Sequence, residues 1–319
     1  MNGVVIVDKP SQWTSFDVVR DIRRTLSARK AGHAGTLDPL ATGVLPVCVN
    51  EATKLAAFFA TGDKEYRAVL KLGVETDTLD AEGAVIARRN PAEIDEAHVR
   101  DVVHRFTGAM NQAVPRFSAV KYQGKPLYWW ARNGFDVSVP PREVTIHGID
   151  CEEIALPFVT VNVHCSKGTY IRQLCADIGA RLGCGAHLVS LRRLRCGHFS
   201  VSDAVTIDGV GDEDKRRLVE RRFLTMSEAA SMVSSIVVDD DAAMRIRRGV
   251  QPTSSMIGDG TSASLGEGDM VKFITFTDDI VAFATMTVSS DAITSLADGV
   301  QIAKIARVFH EKGNEKVSR

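Results

Sequence analysis

An α+β chain of two domains is predicted by three features of the sequence. Residues 64–72 and 159–165 each alternate apolar and polar side chains, the period of a half-buried strand. Segments of helical spacing run between such strands, one of them opened by Thr14 and Asp17 in the arrangement of a capping box. Beyond residue 235 the texture changes to short strands and glycine turns, the pattern of a small barrel. A length of 319 residues leaves room for both units.

In chain order, residues 4–7 (Val-Val-Ile-Val) read as a short buried strand stopped by Asp8-Lys9-Pro10. The helix after Thr14 turns Val18, Val19, Ile22 and Leu26 inward. Arg20, Arg23, Arg24, Arg29 and Lys30 lie on or just after it. Such a row is a solvated face in many proteins and a set of phosphate contacts in an RNA-binding one. Residues 32–46 then carry three glycines and two prolines and satisfy neither apolar period. Pro39 biases Asp38 toward an extended backbone, and Leu37, Leu40, Val44 and Leu45 can anchor the loop from below. An irregular loop presenting one acid and one histidine, His33, is where functional residues concentrate. A buried connection with Asp38 capping an amide would use the same residue types.

Residues 47–49 continue as a strand and 51–60 as a short apolar helix. In 64–72, Tyr66, Ala68, Leu70 and Leu72 share one face, so Tyr66 begins the strand on its buried side. The acidic run from Thr76 to Gly83 lacks the alternating oxygens of a calcium loop and reads as a structural turn. Residues 92–107 form an amphipathic helix. Between 114 and 134, aromatic residues interleave with Arg116, Lys121, Lys125 and Arg132, which suits stacking on bases and neutralising phosphates. Trp129 and Trp130 could equally be hydrophobic anchors. After the strand 159–165, Ser166-Lys167-Gly168 turns into a helix with Ile171, Leu174 and Ile178 inward and Arg172 off that line. Residues 212–234 are charged and helical, then polar. Glycine turns at 258–268 and strands near 271–276, 281–288 and 300–307 complete the chain.

Composition excludes little by itself. Formal net charge is −1, split as +2 up to residue 235 and −3 beyond, so only local clusters can speak for RNA. The six cysteines (48, 151, 165, 175, 184, 196) show no Cys-x-x-Cys spacing and read as buried thiols of a reducing cytoplasm, with no zinc site expected. No apolar run reaches membrane-spanning length, and the first residues lack a signal-peptide layout.

One loop narrows the choice. Residues 32–45 fill every fixed position of Gly-His-x-Gly-Thr-Leu-Asp-Pro-x-Ala-x-Gly-x-Leu, and the segment resembles the catalytic loop of the TruB family of tRNA pseudouridine synthases. The turn Thr76-Asp77-Thr78-x-Asp80-x-x-Gly83, the run Lys167-Gly168-Thr169-Tyr170-Ile171-Arg172 and the segment 185–195 are further matches. Val114 and Arg116 depart from the family pattern, in which the first is commonly proline and the second apolar. The resemblance covers roughly residues 3–200 and, more loosely, the tail. It implies a pseudouridine-synthase fold: a central mixed or antiparallel sheet flanked by helices in a catalytic domain spanning 1–235. An RNA-clamping insertion at about 111–143 and a PUA-like RNA-binding barrel over 236–319 would complete it.

The resemblance also implies roles. Asp38 would be the nucleophile or charge-stabilising carboxylate, paired with Arg172. Tyr66 would lie against the target base, Tyr170 would contact the substrate and Leu191 would pack on the base. His33 would fill the space left by the extruded nucleotide, positioning it without moving a proton. Lys9 and Lys121 are further candidate RNA contacts, and the arginines around Leu191 could reach phosphate. The implied reaction converts uridine 55 of the tRNA T-loop to pseudouridine with no metal or cofactor. The implied partner is the T-arm, with no membrane and no obligatory protein partner, and the protein would act as a cytoplasmic monomer. Two rivals remain at this level. A non-catalytic tRNA-binding or folding module has no need of a buried acid. A carboxylate glycosidase usually needs a second acid, and the sequence shows none paired with Asp38.

Overall fold

The computed structural model describes residues 1–257 and 264–310, so part of the expected glycine-turn region, 258–263, lies outside the described residues. The first strand, β1 (Gly3–Lys9), is apolar on both sides because both are covered. Val5 and Val7 face helix α1 (Ser15–Thr25), whose Val18, Val19 and Ile22 are buried against them. The expected capping box starts this helix: Thr14 accepts from the Asp17 amide, and the Asp17 carboxylate accepts from the Thr14 amide at 3.0 Å. Val4 and Ile6 face the opposite side.

The segment expected to be irregular over 32–46 is shorter than the sequence indicates. Strand β2 (Ala31–His33) enters it and strand β3 (Thr42–Val49) leaves it, so only 34–41 is loop. Pro46 is tolerated mid-strand for a simple reason. Its carbonyl accepts from the Ala34 amide at 2.9 Å, so its missing N–H points to that side too, away from β1.

Strands β4 (Lys64–Leu72), β5 (Gly108–Gln112), β6 (Arg142–Ala155), β7 (Phe158–Cys165) and β8 (Ala186–Cys196) complete the central sheet. Its order is β1-β3-β8-β4-β7-β6-β5, with the short strand Val205–Thr206 added outside β1. The β3–β8 contact is parallel and the others along this path from β1 to β5 are antiparallel, so the sheet is mixed as expected. Tyr66, Ala68, Leu70 and Leu72 are buried as the alternation predicts, under helix α2 (Ile171–Arg181) and the helix Glu96–His104.

A second sheet, β9 (Ser234–Val237), β10 (Met270–Ile274), β11 (Ile280–Met286) and β12 (Ala303–Val308), forms the small C-terminal β unit. The helix Asp240–Arg247 closes its core with Ala242, Ala243 and Ile246. This unit is packed firmly on the first. Ile274, Ile280, Phe283 and Phe309 share one apolar cluster with Val4, Ile6, Val44 and Phe59. Lys272 Nζ donates to the Ser227 and Ala230 carbonyls at 3.1 Å, and Lys54 Nζ to the Val308 carbonyl at the same distance.

Candidate active site

A loop outside any sheet ladder must find other donors for its carbonyls. Between β2 and β3, each carbonyl from Gly35 to Leu40 has one. Ser15 Oγ donates to Leu37 at 3.1 Å and accepts from the Leu37 amide at 2.8 Å. The Ala41 amide reaches Asp38, the Gln12 amide reaches Pro39, and Ser11 Oγ reaches Leu40. Arg193 serves Gly35 and Thr36. Lys9 Nζ donates to Pro39 at 3.0 Å and also to Pro10 and Trp13. This corrects one expectation: Lys9 is fully buried and its ammonium is committed to three backbone carbonyls, so it fastens the loop and does not meet RNA.

Asp38 is thereby held at the loop's crest with its side chain about one-third exposed, at 35%. Arg172, in the first turn of α2, faces it. Nε lies 2.8 Å from Asp38 Oδ2 and Nη2 lies 3.3 Å from Oδ1, a forked pair. The guanidinium also donates to the Thr78 and Phe117 carbonyls, both at 3.0 Å. Four segments thus meet on one side chain, which is only 5% exposed although its position off the apolar line suggests a surface residue.

The structure also supplies a second acid that the sequence reading lacks. Asp80 is buried, with Oδ2 3.8 Å from Arg172 Nε. Its Oδ1 accepts from Thr78 Oγ1 at 2.5 Å and from the Glu82 amide at 3.1 Å. The turn from Thr76 to Gly83 is therefore structural in its hydrogen bonds, and it also brings a carboxylate to the guanidinium that holds Asp38.

Tyr66 lies directly across the strands from Arg193. Burial pushes the Tyr66 phenol up to about 12, so it stays protonated at neutral pH. Tyr66 and Leu191 belong to the same buried cluster as Leu37 and Leu40 of the loop. Tyr170 is half-buried at the N-cap of α2. Its backbone amide donates to Gln112 Oε1 at 2.8 Å and its carbonyl accepts from Gln112 Nε2 at 3.0 Å. Gln112, buried at the end of β5, is a supporting residue that no motif announces.

His33 ends β2. Burial, and secondarily the Arg193 charge, lower its pKa, and Nδ1 is buried without a partner. A neutral imidazole fits positioning better than proton delivery. Lys121 stands exposed on a small hairpin of the insertion. There Trp130 anchors an aromatic cluster, with ring centroids 5.0 Å from Trp129, 6.0 Å from Tyr122 and 5.6 Å from Phe135. Lys125 Nζ sits 3.5 Å above the Trp129 ring.

The arginines around Leu191 differ in burial and partners. Arg192 pairs with Asp8 and Arg195 with Glu65, both at 2.6 Å, and Arg193 is 1% exposed. Elsewhere, Asp63, His147 and His164 gather in one cluster, with the Arg195 guanidinium 3.4 Å from His164 Nε2.

Solved structures share this architecture. An H/ACA ribonucleoprotein bound to a substrate RNA containing 2′-deoxyuridine matches with a TM-score of 0.71 at 25% identity, over 98% of this chain and 86% of the other. A Cbf5–Nop10–Gar1 complex matches at 0.70 and 27% identity, over 97% and 85%. Residues 23–171 match the model of the TruB family pseudouridylate synthase N-terminal domain, and 172–256 that of the tRNA pseudouridylate synthase B C-terminal domain. Together, the shared architecture and the family models define a pseudouridylate synthase. Proteins named tRNA pseudouridine synthase B are 49% identical in Syntrophus aciditrophicus, over 98% of this chain and all of the relative, and 40% identical in Geobacter sulfurreducens, over 86% and 90%. The chain belongs to the TruB family. No helix among the described residues is long and apolar enough to cross a membrane.

Proposed function

We propose that this chain converts uridine 55 in the T-loop of tRNA to pseudouridine. The C1′–N1 bond breaks, the uracil turns, and a C1′–C5 bond forms; N1 gains a proton and C5 loses one, so atoms balance without a co-reactant. The observation that carries the reading is the forked Asp38–Arg172 pair, with the acid accessible and its partner dry. Positive charge develops at C1′ as the base departs, and Asp38 meets it, held in one orientation by Arg172. Extruding the base costs a few kcal/mol of stacking, which Tyr66, Tyr170 and Leu191 offset by contact with its faces. His33 occupies the space the nucleotide leaves.

We further propose a monomer acting on the T-arm in the cytoplasm, with residues 1–235 catalytic and 236–319 a PUA-like RNA-binding unit. Lys121 and the basic, aromatic insertion around it meet the RNA backbone and bases. The test is tritium release from a T-arm hairpin labelled at C5 of uridine. Stoichiometric release by the wild type with none from Asp38→Asn supports the reading. Tight binding of the hairpin without release would refute it in favour of a binding module.

A further inference from the structure

We propose that Arg193 is a positioning residue, a buried clamp that sets the Asp38 loop against Tyr66; the catalytic part of this inference rests on the reaction proposed above. Arg193 is the largest side chain buried to less than 2% exposure. It has no carboxylate partner among the described residues. A guanidinium in that position is costly unless its donors are well used. Its partners are all at the site. Nε donates to Val44 at 2.7 Å, on the strand leaving the loop, and Nη2 to Gly35 at 3.0 Å, on the strand side entering it. Nη1 reaches Thr36 at 3.4 Å. Both ends of the loop are thus tied to one rigid planar group, carried on the residue that stands opposite Tyr66 in the β8–β4 register.

The backbone of Arg193 is as closely fitted as its side chain. Gly43 has φ +103°, and a Cβ there would lie 2.1 Å from the Arg193 carbonyl oxygen. A clamp so placed fixes the distance between the carboxylate and the tyrosine without touching either reacting bond. A methionine of similar volume would fill the space and leave the carbonyls unheld. A lysine would keep the charge but lose the fork.

The experiment compares Arg193→Met, Arg193→Lys and a control, Val219→Ala, which opens a buried site in the helix Asp212–Arg221, in an apolar cluster that includes none of residues 34–41. Single-turnover tritium release and hairpin affinity are measured below each variant's melting temperature, with hydrogen exchange at the amides of Ala34, Leu37 and Ala41. The expected result is a rate lower by about a hundredfold in Arg193→Met and about tenfold in Arg193→Lys, with affinity within about threefold. Loop amides should exchange faster in both while α1 stays protected, and Val219→Ala should change neither quantity. A rate no lower than the control's, or unchanged loop exchange, overturns the proposal. If Arg193→Met does not fold, Arg193→Lys carries the same test. A wild type that releases no tritium would refute the reaction, while the exchange measurement would still decide the clamp.

Discussion

Arg172→Lys tests the site most sharply, because the two cations differ in geometry more than in charge. Arginine here makes four hydrogen bonds from three nitrogens: two to Asp38 at 2.8 and 3.3 Å, and one each to Thr78 and Phe117 at 3.0 Å. A single ammonium can keep Asp38 or the two carbonyls, and cannot span both. Losing one charge-assisted bond removes about 1.5–3 kcal/mol, and a buried carbonyl left without a donor costs about 1–3 kcal/mol more. If roughly 3 kcal/mol of this falls on the orientation of Asp38 in the transition state, the rate drops a little over about a hundredfold. Single-turnover tritium release measures the rate, filter binding measures affinity, and a thermal melt confirms the fold. We expect the rate loss with affinity within about threefold of wild type. A folded Arg172→Lys enzyme with a rate within about threefold of wild type would refute the fork as the device that holds Asp38.

Other outcomes follow from the same geometry. Asp38→Asn should abolish release while leaving hairpin affinity within about threefold, since the amide keeps the shape and loses the charge; measurable turnover would remove Asp38 from the chemistry. Lys121→Met should reduce the slope of log affinity against log salt by about 1, whereas Lys9→Met should leave that slope unchanged, because the first side chain is exposed and the second is buried. Lys9 also has a pH signature. Burial lowers its pKa to about 8 from 10.5. Between these values the unfolded chain binds more protons, so this group makes stability rise with pH over that window, after a constant penalty below it. Denaturant melts of wild type and Lys9→Met at pH 7.5 and 10 should show that rise in the wild type alone, and parallel curves would disprove it. Gly43→Ala should cost at least about 2–3 kcal/mol through its positive φ and the Arg193 carbonyl; an unperturbed melt would contradict the close approach.

Asp38 is legible in the sequence because its loop breaks both apolar periods and presents an acid from the break. Tyr66 is legible because strict alternation in β4 places it inward. Arg172 is legible only through its family motif and Asp80 not at all, since neither residue type nor spacing tells a buried ionic group from a surface one; what buries them is the meeting of α2 with a turn ninety-odd residues earlier in the chain. Lys9 and Arg193 could have been found. Counting by two from Val5 and Val7 puts Lys9 on the inner face of β1, and counting by two from Leu191 puts Arg193 inward in β8. A cation read as a candidate RNA contact was in each case on a buried register.

Those two buried cations explain how an irregular loop can be rigid. Helices and sheets satisfy their own carbonyls; a loop of this kind cannot, and left to water it would sample many shapes. Here Lys9 and Arg193 enter from β1 and β8, elements fixed by the sheet, and Ser15 enters from α1. Each supplies donors from a side chain whose own position is set by strand register or helix capping. The loop's shape is therefore inherited from the sheet, and with it the direction in which Asp38 points. On this view, side chains buried beneath the loop do as much to set the reactivity of Asp38 as the arginine that touches it, and replacing any of them should change rate before it changes affinity.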